Sequence, residues 1–119
     1  MNYTENQLSE LAKTNPKELA RILTSPNANV RMLTFGAEIL GGEVEDESIV
    51  LPTLRILVKH VNAIVREGAA IGISCFYNST KPPQDILDRL KVMSTNDPSP
   101  SLREQAVSML EDYEKIERK

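Results

Sequence analysis

Few side chains in this sequence could carry chemistry, and their spacing narrows what that chemistry would be. His60 and Cys75 are the single histidine and the single cysteine. A nucleophilic mechanism needs a base held against a serine or cysteine nucleophile, and no nucleophile motif accompanies His60. His60 reads instead as a turn residue, and Cys75, in an apolar helical stretch, reads as a small hydrophobe in or near the core. One cysteine excludes an internal disulfide and a cysteine zinc site, and one histidine excludes a multi-histidine metal centre. The acidic run Glu43, Glu45, Asp46 and Glu47 could attract a cation. It lacks the Asp-x-Asp-x-Asp-Gly spacing and closing Glu of a calcium loop, so it reads as a solvated acidic loop, with partner contact as the functional alternative. Gly41-Gly42 has neither the third glycine nor the Lys-Ser/Thr pair that a phosphate cradle needs. No metal and no cofactor are expected.

Composition points the same way. The chain has 119 residues, 14 Lys+Arg against 17 Asp+Glu, a net charge of −3, no Trp, three Tyr and two Phe. Binding to nucleic acid depends on neutralising phosphates with a basic surface, and here the basic residues are scattered, so no nucleic acid is expected. No run approaches the ~18 apolar residues of a membrane span, and the first ten residues lack a basic-then-apolar signal. The expectation is one soluble domain over 1–119, in the cytoplasm, with no membrane partner.

Helix signals dominate, and the fold class expected is all-α. Thr4 and Gln7 have the spacing of a capping box for a helix over 5–13. Asn15-Pro16 opens a second helix, with Glu18 reaching back and Leu19, Ala20, Ile22 and Leu23 on one face. A third runs from about Asn27 to Leu40, stopped by Gly41-Gly42. A fourth covers about Glu47–His60, bent at Pro52, and a fifth about Ala63–Tyr77. Thr80 caps a sixth over about Pro82–Thr95. Ser101 and Glu104 form a capping box for the last, whose Glu111/Lys115 and Glu114/Arg118 pairs have the favourable i,i+4 order.

Three of these helices open alike. Ser25-Pro-Asn-Ala-Asn-Val30-Arg31, His60-Val-Asn-Ala-Ile-Val65-Arg66 and Asp97-Pro-Ser-Pro-Ser-Leu102-Arg103 align without a gap, and their arginines stand 35 and 37 residues apart. Each follows a shorter helix, which makes a helix-hairpin repeat. Counted from the aliphatic residue, offsets 0, 3, 4, 7, 8 and 11 form a face: Val65, Gly68, Ala69, Gly72, Ile73 and Phe76 in the second repeat, and Leu102, Gln105, Ala106, Met109, Leu110 and Tyr113 in the third. The first repeat matches less well, with Val30, Leu33, Thr34, Ala37 and Glu38, and Leu40 one place early. Small residues at offsets 3, 4 and 7 allow neighbouring helices to approach closely.

These segments resemble the HEAT-repeat family. The resemblance spans roughly 16–113 and implies a right-handed αα superhelix of about three HEAT-like helix hairpins, over 16–42, 47–78 and 82–117, behind a capping helix. In that family an Asp six residues before the Arg builds a polar ladder between repeats. Asp97 and Arg103 match fully, whereas Arg31 and Arg66 have Ser25 and His60 in the Asp slot. The repeat is shorter than the ~40–47 residues of typical units. Stacking buries apolar faces that one hairpin cannot cover alone.

In such a solenoid the second helix of each hairpin lines a concave wall. The offsets left over from packing place Met32, Phe35 and Ile39 from the first repeat, Glu67 and Ile71 from the second, and Glu104, Ser108 and Glu111 from the third on that wall. The alternative for Met32 and Phe35 is burial beneath the first helix. The resemblance implies a non-enzymatic protein-binding module: an immunity or inhibitor protein occluding a basic partner such as a toxin nuclease, or a small adaptor. The alternative it implies is an enzyme or enzyme subunit, like the chromophore lyases and DNA glycosylases that share HEAT-like folds.

Overall fold

The computed structural model describes residues 2–116. Among these residues there are seven α-helices and no strand: α1 (Glu5–Thr14), α2 (Pro16–Leu23), α3 (Val30–Glu43), α4 (Glu47–Leu57), α5 (Ala63–Phe76), α6 (Gln84–Asn96) and α7 (Pro100–Glu114). The described chain is therefore all-α. It falls into two compact units that divide between Phe76 and Tyr77, one holding α1 to α5 and the other α6 and α7.

Local side-chain chemistry sets most helix starts. The Gln7 amide donates to Thr4 Oγ1 at 3.1 Å and the Thr4 amide to Gln7 Oε1 at 2.8 Å, a closed capping box. Asn15 Oδ1 accepts from the Glu18 amide ahead of Pro16. Glu18 does not reach back, because the Asn15 N–H already closes α1 on the Leu11 carbonyl at 2.7 Å. Its carboxylate takes both Nε and Nη2 of Arg21 instead.

Several starts and stops differ from the sequence reading. α6 opens at Gln84 behind Pro83 with no side-chain cap, so Thr80 caps nothing: a residue before proline is pushed out of the helical region, and Pro82-Pro83 delays the start. α7 is capped by Ser99 and not Ser101, since Pro100 suits the first helical position, where no N–H is needed. α4 runs unbroken through Pro52, as expected, but ends at Leu57 and not at His60. Lys115 is the residue that ends α7, and no ion pair to Glu111 forms among the described residues; Arg118 lies outside them.

The first unit is two stacked hairpins with a further helix. α2 pairs with α3 and α4 with α5 within the hairpins, while α2 packs on α4 and α3 on α5 between them. α1 packs on α2 and α3, so α3 touches all four other helices of the unit. Its core includes Leu8, Leu19, Ile22, Leu40, Leu54, Val65 and Ile73, each at most 1% exposed. Val30, expected on the packing face, is exposed. In the second unit α6 and α7 pack together, with Ile86, Leu90 and Met93 buried on one and Leu102, Ala106, Met109 and Tyr113 on the other.

α3 against α5 is the most extensive helix contact, and glycine makes it possible. A Cβ added to Gly68 would lie 2.7 Å from the Thr34 carbonyl oxygen. One on Gly72 would overlap the Ala37 carbonyl, and one on Gly41 the Gly72 backbone. The contacts advance together along both helices, so α3 and α5 run in the same direction. This approach also explains why Gly41-Gly42 does not end α3: neither glycine has positive φ, and the helix continues to Glu43. Gly41 serves interhelix contact, not helix termination.

Glycines inside and outside this contact should then respond oppositely to the same substitution. Gly72→Ala pushes a methyl into rigid backbone and is expected to cost about 1–3 kcal/mol in urea denaturation. Gly42→Ala meets nothing within 4 Å, and it should stabilise by about 0.5–1 kcal/mol through helix propensity.

Candidate functional site

The repeat turns position the helices that carry the candidate residues. Ser25 Oγ, His60 Nδ1 and Asp97 Oδ1 occupy one repeat slot, and each accepts the backbone N–H two residues on, from Asn27 at 3.3 Å, Asn62 at 3.0 Å and Ser99 at 2.9 Å. Three chemically different side chains thus close the same turn, and His60 is a turn residue as expected. Arg66, only 7% exposed, donates from Nη1 to the carbonyls of His60 and Val61, both at 2.9 Å. Arg103 Nη1 donates to the Asp97 carbonyl at 2.6 Å, also six residues upstream. These arginine bonds go to backbone within the arginine's own repeat. Arg31 departs from the pattern: α3 begins one residue before it, whereas α5 and α7 begin three before Arg66 and Arg103. Its guanidinium is exposed and stands over the Phe35 ring, 5.4 Å from the centroid.

Parallel packing of α3 and α5 brings four of the predicted wall residues onto one face. Phe35, Glu38 and Ile39 share a side of α3 at i, i+3 and i+4; Glu67 and Ile71 share a side of α5. Phe35, Ile39 and Ile71 are half-buried and Glu67 is exposed. Met32 is not on this face: α1 packs on α3 and leaves Met32 2% exposed, in the core. Glu38 joins the face although its offset assigned it to packing. Partial burial, chiefly, and the nearby carboxylates of Glu5 on α1 and Glu67 on α5 push its pKa up. Beside this face the start of α1 and α3 enclose a concavity of about 430 Å³, lined by Tyr3, Glu5, Leu8, Arg31, Met32 and Phe35 among others.

The remaining predicted wall residues come together in the second unit. Glu104, Ser108 and Glu111, with Arg103 and Val107 of α7 and Ser94 of α6, line a shallow groove of about 350 Å³. Glu104, Val107, Ser108 and Glu111 are exposed.

Other predicted positions have different surroundings. The acidic loop is largely helix ends. Glu43 is the last residue of α3, where it accepts the Ser9 hydroxyl at 2.8 Å, and Glu47 is the first of α4. Asp46 caps α4, accepting the Ser48 hydroxyl at 2.6 Å and the Ser48 amide at 3.0 Å. These bonds, with Lys17 nearby, hold its carboxyl below the usual range. Glu45 lies in the connector with Asp46, and all four acidic residues are exposed. Cys75 is exposed and not in the core, because the buried side of α5 is carried by Val65, Gly68, Ala69, Gly72 and Ile73 and residue 75 falls off it.

Among the described residues no three His, Cys, Asp or Glu side chains are grouped to hold a metal ion, and no helix is long and apolar enough to cross a membrane. No protein-family model, curated protein or solved structure matches the chain significantly.

The raised pKa of Glu38 has a defined consequence. The folded state holds that proton more tightly than the unfolded state, so stability from this group is present below the ordinary glutamate range and is lost as pH rises through the folded value. Glu38→Gln should therefore raise stability at pH 7, by up to about 0.5 kcal/mol given the partial exposure. The gain should vanish near pH 4, as checked by thermal unfolding at the two pH values.

Proposed function

We propose that this chain is a non-enzymatic protein-binding module of HEAT-like type, its hairpins forming a right-handed superhelix, and that the α3/α5 face contacts a partner with a basic surface. The observation that carries the reading is the composition of that face. Phe35, Ile39 and Ile71 are half-exposed between the carboxylates of Glu5, Glu38 and Glu67, and no ion pair engages those carboxylates among the described residues. Interfaces draw most of their energy from a few desolvated apolar and aromatic anchors, while surrounding charge sets encounter rate and partner choice. A cation arriving here relieves repulsion that the free protein sustains. The repeated turn bonds at Ser25, His60 and Asp97 support the repeat reading. An inhibitor or immunity protein that occludes a basic enzyme, such as a toxin nuclease, fits this chemistry, as does a small adaptor.

The test is reconstitution of a purified stoichiometric complex with a partner recovered by affinity capture. Phe35→Ala and Glu67→Lys should each weaken it by about tenfold or more while leaving the helical circular dichroism intact. Raising salt should weaken the wild-type complex and have less effect on Glu67→Lys. A complex indifferent to both substitutions would remove the face from the interface, and turnover of a small molecule by the purified chain would overturn the non-enzymatic assignment.

A further inference from the structure

The groove on α7 lies in the other compact unit and is a separate matter from the α3/α5 face. Its lining is mostly carbon, from Val107 and the methylene stems of the longer residues around it. Val107 is 44% exposed, one of the few large aliphatic side chains left open. Glu104 precedes it by three residues and Glu111 follows by four, so the two carboxylates sit on one side of the helix, about 10 Å apart along the axis, with the apolar floor between them. Neither carboxylate is engaged in an ion pair or hydrogen bond among the described residues. Arg103, the one cation among the described lining residues, is tied back through Nη1 to the Asp97 carbonyl, on a turn that carries Asp97's own negative charge.

We infer that this groove receives a helical segment of a partner protein in which an aliphatic side chain is flanked, about one turn to either side, by Lys or Arg. Charge complementarity names that occupant. The aliphatic group covers Val107 and fills the floor, and the two cations meet Glu104 and Glu111 at matching seven-residue spacing. An acidic segment would face both carboxylates, and a wholly polar one would leave Val107 uncovered. The volume of about 350 Å³ suits one or two side chains and not a folded loop.

A titration of the isotope-labelled full chain with a short, helix-stabilised peptide tests this directly. The probe carries Lys, Leu and Lys at positions i, i+4 and i+7, and is compared with a Leu→Ser version and a Lys→Glu version. Amide shifts are expected at Ser94 and over 103–111. Affinity should fall about tenfold for the Leu→Ser peptide and for the Glu104→Gln/Glu111→Gln protein, and shifts should be absent with the Lys→Glu peptide. Val107→Asp, a surface change that should leave the circular dichroism unaltered, should abolish the shifts. Three results would overturn the inference: no shifts at millimolar probe, equal shifts around Glu38 and Glu67, or an affinity insensitive to the leucine. Because the probe reads α7 while Phe35 and Glu67 report the other face, the two readings fail separately.

Discussion

The close approach of α3 and α5 is the contact on which the first unit depends. Two helices ordinarily pack 8–10 Å apart, with side chains filling the space between. Here glycine removes those side chains, so Gly68 meets the Thr34 backbone, Gly72 that of Ala37, and Gly41 that of Gly72. Three consequences follow from this one geometry. The second helices of two hairpins become parallel neighbours; α3 must stay helical through both glycines; and the outward sides of the two helices merge into one surface. Without the merger, Phe35 and Ile39 would stand on one ridge and Glu67 and Ile71 on another.

That surface is unusual in what it leaves uncompensated. Burial and two neighbouring carboxylates make Glu38 harder to ionise, and the half-buried apolar residues beside it are not fully covered. Natural cores resolve such conflicts by pairing charges or moving them into solvent; surfaces that retain them are the places where local consistency gives way to function. The groove in the second unit repeats the theme with different parts: Val107 is open between Glu104 and Glu111. Both share a chemical logic, an aliphatic centre bordered by negative charge, which is why the partner proposed for each is basic.

Much of the fold was legible because short-range rules act on it. The Thr4 capping box, the Asn15-Pro16 start and the packing offsets of α5 depend on residues within a turn or two of one another. Glycine reads correctly at Gly68 and Gly72, where small size permits close approach, and wrongly at Gly41. Gly41-Gly42 looks like a stop signal locally, and only the presence of Gly72 on another helix, a tertiary fact, makes Gly41 a contact residue. A related slip affects α3, which begins two residues late in the repeat register because Asn29 captures the Met32 amide. Arg31 thereby leaves the arrangement kept by Arg66 and Arg103, and Val30 leaves the packing face. Met32 could not be decided from pattern, since its burial depends on where α1 lies. Cys75 lies in an apolar segment but off its buried side, so the mean apolarity of the segment does not place it. Ser25, His60 and Asp97 share a turn bond despite their different chemistry, since each offers an acceptor to the N–H two positions on.

The claim that α3 and α5 are held as one body can be measured by native-state hydrogen exchange. Amides over 34–40 and 68–73 should open together, with one free energy equal to the highest in the first unit and a common dependence on denaturant. Exchange of the α5 amides at a distinctly lower free energy than those of α3, by local opening that leaves α3 protected, would contradict the account.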